Sequence, residues 1–170
     1  MFVMPNSRRR IDSLALVLFL AVIVVLATDL RAQAQVTTTW KTGATTWEDN
    51  TSWSGGSVPG PNDTAVFPNA ATGGPNFVFF LANHQVGQVQ FPSDAQAYTF
   101  GAGGAGVTLQ FNSPIGINNL SGLPQEFGSG NFVITSSQTW NVALAGASTI
   151  LDTPVSGAGV SLTKTGAGDL

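Results

Sequence analysis

The feature that most constrains the fold is a series of short apolar-alternating stretches separated by glycine-rich turns. From residue 35 onward no stretch carries apolar residues at the three-to-four spacing of a helix. Val107-Thr-Leu109-Gln-Phe111 alternates strictly, and Val86, Val89 and Phe91 are spaced by Gly and Gln within 83–91. Phe132-Val-Ile134, Trp140-Asn-Val142-Ala-Leu144, Thr149-Ile-Leu151 and Val160-Ser-Leu162-Thr continue the theme. Between them lie Gly101–Gly106, Gly128-Ser-Gly130, Gly146, Gly157-Ala-Gly159 and Gly166-Ala-Gly168. Alternation with period two places apolar side chains on one face of a strand, and glycine closes the turns. The expected fold class is all-β. Strands this short and this closely spaced favour a right-handed β-helix, or solenoid, in which each coil buries a few inward residues against the last. A β-sandwich is the alternative.

Residues 1–34 read as a secretory signal. Arg8-Arg9-Arg10 supplies the basic start, Leu14–Ala27 is an unbroken apolar run, and Ala32-Gln33-Ala34 is a small-x-small cleavage motif. The apolar run falls short of the ~20 residues of a membrane span. Cleavage after Ala34 removes four of the six basic residues (Arg8, Arg9, Arg10, Arg31) and two of the nine acids (Asp12, Asp29). Two lysines and seven acids remain, a net charge of −5. A chain so poor in cations has no footprint for nucleic acid. Cysteine is absent, which excludes disulfides, thiolate chemistry and a lipidated cysteine.

Residues 35–75 differ in character from 76–170. They hold Trp40, Trp47 and Trp53, the turn-forming Pro59-Gly-Pro61, and Asp63. A solenoid needs an atypical terminal unit to cover its first coil. The segment therefore reads as a Trp-rich N-terminal cap, and 76–170 as the rungs. The three Trp residues are also candidates for stacking on a ligand.

Other candidates for chemistry are sparse. His84 is the one histidine and reads as a polar turn residue beside a strand. Glu48 and Asp49 are adjacent, so on a strand they would face opposite ways and would not form the paired carboxylates of sugar hydrolysis. Asp63 is expected to make an Asx-type turn. The 101–106 glycine run lacks the Asp residues of calcium-binding rolls and the Lys of phosphate loops. No catalytic residue, metal ligand or cofactor site is expected. The sequons at Asn50, Asn62 and Asn119 are expected to be chance matches.

The order of motifs resembles one family. Trp40…Trp47-(x5)-Trp53-Ser-Gly-Gly-Ser-Val-Pro59-Gly-Pro-Asn-Asp63-Thr-Ala-Val-Phe67 is similar to the start of bacterial proteins carrying autotransporter-associated β-strand repeats. Ala82-Asn-His-Gln-Val-Gly-Gln-Val-Gln-Phe91…Tyr98-Thr-Phe100 and Ser137-Gln-Thr-Trp140-Asn-Val resemble successive rungs. Leu162-Thr-Lys164-Thr-Gly166-Ala-Gly168-Asp-Leu170 resembles the opening of the repeat itself. The resemblance spans 40–170. It implies an exported β-helical passenger at the surface of a Gram-negative-type cell, or secreted from it, with a structural or adhesive role and no catalytic site. Its implied partners are extracellular polysaccharide or a host or cell surface. Membrane attachment would come only through a C-terminal element this chain lacks, so the chain is expected to be an N-terminal fragment ending at the start of a repeat. The alternatives are a carbohydrate-active β-helix of the polysaccharide-lyase kind and a sugar-binding module built on the Trp cluster.

Overall fold

The structure is a computed structural model that describes residues 34–69 and 76–170. The export signal expected over 1–34 lies almost wholly outside the described residues.

The chain winds into a β-solenoid with three parallel sheets. Two strands, β1 (Thr37–Thr39) and β2 (Thr64–Val66), begin the first sheet. A coil then runs through β3 (Asn76–Phe80), β4 (His84–Val86) and β5 (Gln88–Phe91), one strand per face. The next coils are β6 (Tyr98–Ala102), β7 (Thr108–Phe111) and β8 (Ile115–Asn119), then β9 (Gln125–Phe127), β10 (Asn131–Ile134) and β11 (Gln138–Val142). The last comprises β12 (Thr149–Leu151), β13 (Val155–Ser156) and β14 (Leu162–Thr165). The first sheet has the order β1-β2-β5-β8-β11-β14; the others are β13-β10-β7-β4 and β12-β9-β6-β3. Every pairing of these strands is parallel, as in Val78↔Phe100 and Phe132↔Leu109. A sandwich of hairpin-linked antiparallel strands is therefore excluded.

The inward residues of each face stack on their counterparts one coil away. Val78 and Phe80, then Tyr98 and Phe100, then Gln125 and Phe127 line the interior of one sheet, all buried. Phe100 and Phe127 lie nearly parallel, centroids 4.7 Å apart at 9°. Phe127 meets Phe132 edge-on at 5.2 Å across the interior. Aromatic rings are thus the largest side chains of the buried core.

Outward polar residues form ladders of their own. Asn141 Nδ2 donates to Asn118 Oδ1 at 2.9 Å, and Asn112 Nδ2 to Gln85 Oε1 at 3.2 Å. Amides at matched positions satisfy one another without net charge. Glycine enters where coils approach closely at a corner: a Cβ on Gly87, between β4 and β5, would sit 2.7 Å from the Asp63 carbonyl oxygen.

The cap region is partly solenoid. β1 and β2 pair with each other, and β2 pairs with β5, so the first sheet starts at Thr37. The loop between them does not complete the other two faces. It folds across the end, with an antiparallel bridge between Trp40 and Trp53.

Candidate functional site

Among the described residues, the candidates singled out from sequence and the two clefts fall at the Trp cluster, a carboxylate–imidazole pair beside it, a polar cleft in the same cap, and a glycine-lined hollow on a corner.

Trp40, Trp47 and Trp53 are brought together and are buried, with Trp47 and Trp53 wholly so. Trp53 meets Trp40 and Trp47 edge-on, each at 4.9 Å. Phe67, next to β2, packs against all three and against Phe91, Tyr98 and Phe100 of the following coils. The Trp53 indole N–H donates to the Trp47 carbonyl at 2.8 Å. The rings face one another and the coil beneath, so they offer no open face to a ligand. They plug the solenoid end.

Glu48 and His84 form a pair that sequence reasoning missed. His84 is the first residue of β4, half-buried, not a turn residue. Its Nε2 lies 2.8 Å from Glu48 Oε1, and its ring lies beside Trp47 with centroids 5.9 Å apart. The same carboxylate oxygen accepts from the Leu81 and Ala82 backbone amides at the β3–β4 corner. Glu48 thus ties the cap loop to the first coil. Burial pushes its carboxyl up, but the hydrogen bonds from His84 and from the Ala82 and Leu81 amides outweigh this and hold it below its ordinary value. Glu48 Oε2 and the Trp47 indole N–H are buried without partners in the protein, which offsets part of the gain.

Glu48 and Asp49 lie in a turn before the 3-10 segment and not on a strand, and their carboxylates take separate partners. Asp49 caps the 3-10 turn Asn50–Ser52, accepting from the Thr51 amide at 2.8 Å and the Thr51 hydroxyl at 2.7 Å. Those two bonds hold its carboxyl low, with a smaller contribution from Lys41. Asp63 differs from the expected Asx turn. Its carboxylate reaches backward, accepting from the Gly60 amide at 2.7 Å, and across to the Val36 amide at 2.9 Å. It fastens the start of β1 to the start of β2.

The lowered Glu48 pKa gives a pH prediction. A carboxyl whose folded pKa lies below its unfolded one adds stability that is full above the unfolded value, ~4.3 for Glu, and is lost as pH falls through the folded value. The titratable group in contact with it is His84. The cap should therefore loosen below about pH 4.3. The protection factors of the Leu81 and Ala82 amides, which allow for the slower intrinsic exchange in acid, should fall there in the parent. In Glu48→Gln they should be low already at neutral pH and change little on acidification. Equal pH dependence in both proteins would refute the latch.

The cap cleft has a volume of about 300 Å³ and is lined by Lys41, Thr42, Thr45, Thr46, Asp49 and Ser52 among others. Its Ser52 hydroxyl is already committed to the Thr46 carbonyl at 2.9 Å, and its Asp49 to Thr51. Residues 102–106 of the glycine run, with residues 129–131, line a hollow of about 440 Å³. No group of three or more His, Asp and Glu residues among the described residues could hold a metal ion. Asn119 is wholly buried, its side chain accepting from the Ser121 amide and hydroxyl, which withdraws that sequon from the surface.

No known protein family, no curated protein and no solved structure matches the chain.

Proposed function

We propose that the protein is an exported structural or adhesive component, secreted from or displayed on a bacterial cell, of the autotransporter-associated β-strand-repeat kind. It works through extended surface and has no catalytic site of its own. The observation that carries this is how the solenoid uses its polar side chains. The pair that most resembles catalytic machinery, Glu48 and His84, is consumed in fastening the cap to the first coil. The outward faces carry Asn, Gln and Thr ladders rather than converging acids and bases. A base must reach its substrate's proton, and His84 is turned toward Glu48 and Trp47. A stack of coils presents a long repetitive face, suited to many weak contacts made at once. The motif order over 40–170 supports the same reading, as does the signal-like 1–34 segment.

The test is fractionation of a Gram-negative host expressing the full chain. The protein should be recovered outside the inner membrane, beginning at Gln35. Recovery from the membrane fraction with an intact N-terminus would contradict export by cleavage. In the same preparation, incubation with polysaccharides should yield no new reducing ends and no unsaturated products. A turnover that His84→Ala abolishes would establish the lyase-like alternative instead.

A further inference from the structure

One face of the solenoid departs from the amide-ladder pattern. On the sheet β12-β9-β6-β3, the outward row in parallel register is Phe77, Thr99, Glu126 and Ile150. The next outward positions are Phe79 and, paired with it, Gly101. Phe77 and Phe79 are 43% and 42% exposed, and their ring planes lie within 17° with centroids 5.9 Å apart. Leu81, 61% exposed, continues the strip and lies against Gly103, where a Cβ would run into it. Gly103 in turn belongs to the 440 Å³ hollow with Gly106, Ser129 and Asn131. Gly101 joins the two features. A Cβ there would sit 3.8 Å from the Phe79 ring and 3.2 Å from Ser129 Oγ. An aromatic ledge thus runs into an open hollow lined by small and polar residues, among them Gly103, Gly106, Ser129 and Asn131.

Covering a glycine is one structural reason for an outward ring on a sheet, and Phe79 does cover Gly101. That reason does not extend to Phe77, whose register partner is Thr99. Exposing two stacked rings and a leucine together costs solvation and marks a contact surface.

We propose that this face binds a neutral glycan chain. The inference rests on the reading of the protein as a surface component. A sugar ring has an apolar C–H face and a rim of hydroxyls, and the site offers a partner for each. Phe77 and Phe79 supply the stacking surface. Glu126 accepts from Thr99 Oγ1 through Oε2 at 3.1 Å, leaving Oε1 for a hydroxyl donor. Ser129 Oγ accepts from the Ala102 amide at 3.0 Å, leaving its own hydrogen to donate. Other occupants fit worse. A wholly apolar partner or lipid tail would bury the Glu126 carboxylate unpaired. An anionic polymer would meet that same charge, and neither Lys41 nor Lys164 lies among these residues. Strand addition is blocked at Phe79, whose N–H and C=O are already paired with Thr45 and Trp47 at 2.8 and 2.7 Å.

The test is affinity electrophoresis and calorimetry of the exported protein against hydroxyethylcellulose, xylan and galactomannan, with alginate as the anionic control. At least one neutral polymer should retard the parent, and alginate should not. Phe77→Ala/Phe79→Ala should weaken retention about tenfold or more, which corresponds to about 1.4 kcal/mol of binding. Its melting temperature should stay near the parent's. Glu126→Ala keeps both rings and should weaken binding severalfold, giving a second readout if the double variant folds poorly. Binding unchanged in both variants, retention by alginate alone, or retention by none of the neutral polymers would each overturn the site. If the protein is nonetheless recovered outside the cell, the site fails and the surface reading stands. Glycan binding by a protein retained inside the cell would uphold the site and overturn the surface reading.

Discussion

Trp53→Ala should destabilise the fold by about 3–5 kcal/mol, the cost of deleting a wholly buried large aromatic. Trp53 sits between Trp40 and Trp47 and packs on Phe67, so its removal opens the plug to the first coil. It also frees the Trp47 carbonyl of its indole donor. For a unit of this size each kcal/mol moves the midpoint by roughly 2–8 °C, so thermal melting should fall by about 6–40 °C. Urea denaturation monitored by circular dichroism measures the change directly. If the Trp cluster were a sugar-stacking platform, the variant would melt like the parent and lose retention on a polysaccharide column. That pair of outcomes would refute the plug.

Phe127→Ala should have a comparable cost, about 3–5 kcal/mol, from the middle of the stack. Phe127 is wholly buried, stacks on Phe100 below, and meets Phe111 and Phe132 edge-on. The consequence should differ in kind from that of Trp53. In a solenoid each coil contacts only its neighbours, so a defect at an internal rung weakens coupling between the two sides. Unfolding of the variant should broaden, with the β12–β14 coil exchanging its amides before the β3–β5 coil does. A variant that still melts in one sharp transition with uniform exchange would argue against nearest-neighbour stacking.

Strict alternation made some strands legible from sequence and the lack of it hid others. The stretch 107–111 reads outward and inward in turn, and β7 lies there. At 83–91 the same pattern becomes β4 and β5, broken at Gly87 because the chain turns a corner where β2 approaches. β3 was not singled out, because its outward positions are Phe77 and Phe79, which mask the period. β8 and β9 escaped for the opposite reason, since their inward positions include Asn119 and Gln125. Gln125 is wholly buried, accepting from the Tyr98 amide at 3.1 Å and donating to the Gln96 carbonyl at 3.0 Å. An amide that replaces backbone partners looks like a loop residue in a hydrophobicity pattern.

The common burial of the Trp residues was legible, since three of them lie within fourteen positions. The attachment of the cap was not. Glu48 and His84 are 36 residues apart and meet because the loop folds back over the first coil. No local spacing announces such a contact. The exposed Phe77–Phe79 ledge was equally silent, because only the sheet register shows which face of β3 points outward.

The parallel stacking of coils underlies all of these readings, and cysteine pairing tests it most directly. The chain has no native cysteine, so an introduced pair is the sole source of thiols. Asn118 and Asn141 are register partners on β8 and β11 and already touch through their side-chain amides. Gln90 lies one coil further away, paired to Asn118 and not to Asn141. Disulfides form where Cα atoms are about 4.4–6.8 Å apart, a range that spans one coil and excludes two. Asn118→Cys/Asn141→Cys should therefore cross-link within the molecule under mild oxidation, as Gln90→Cys/Asn118→Cys should. Gln90→Cys/Asn141→Cys should stay reduced. Failure of both neighbouring pairs, or equal cross-linking of the distant one, would contradict the solenoid.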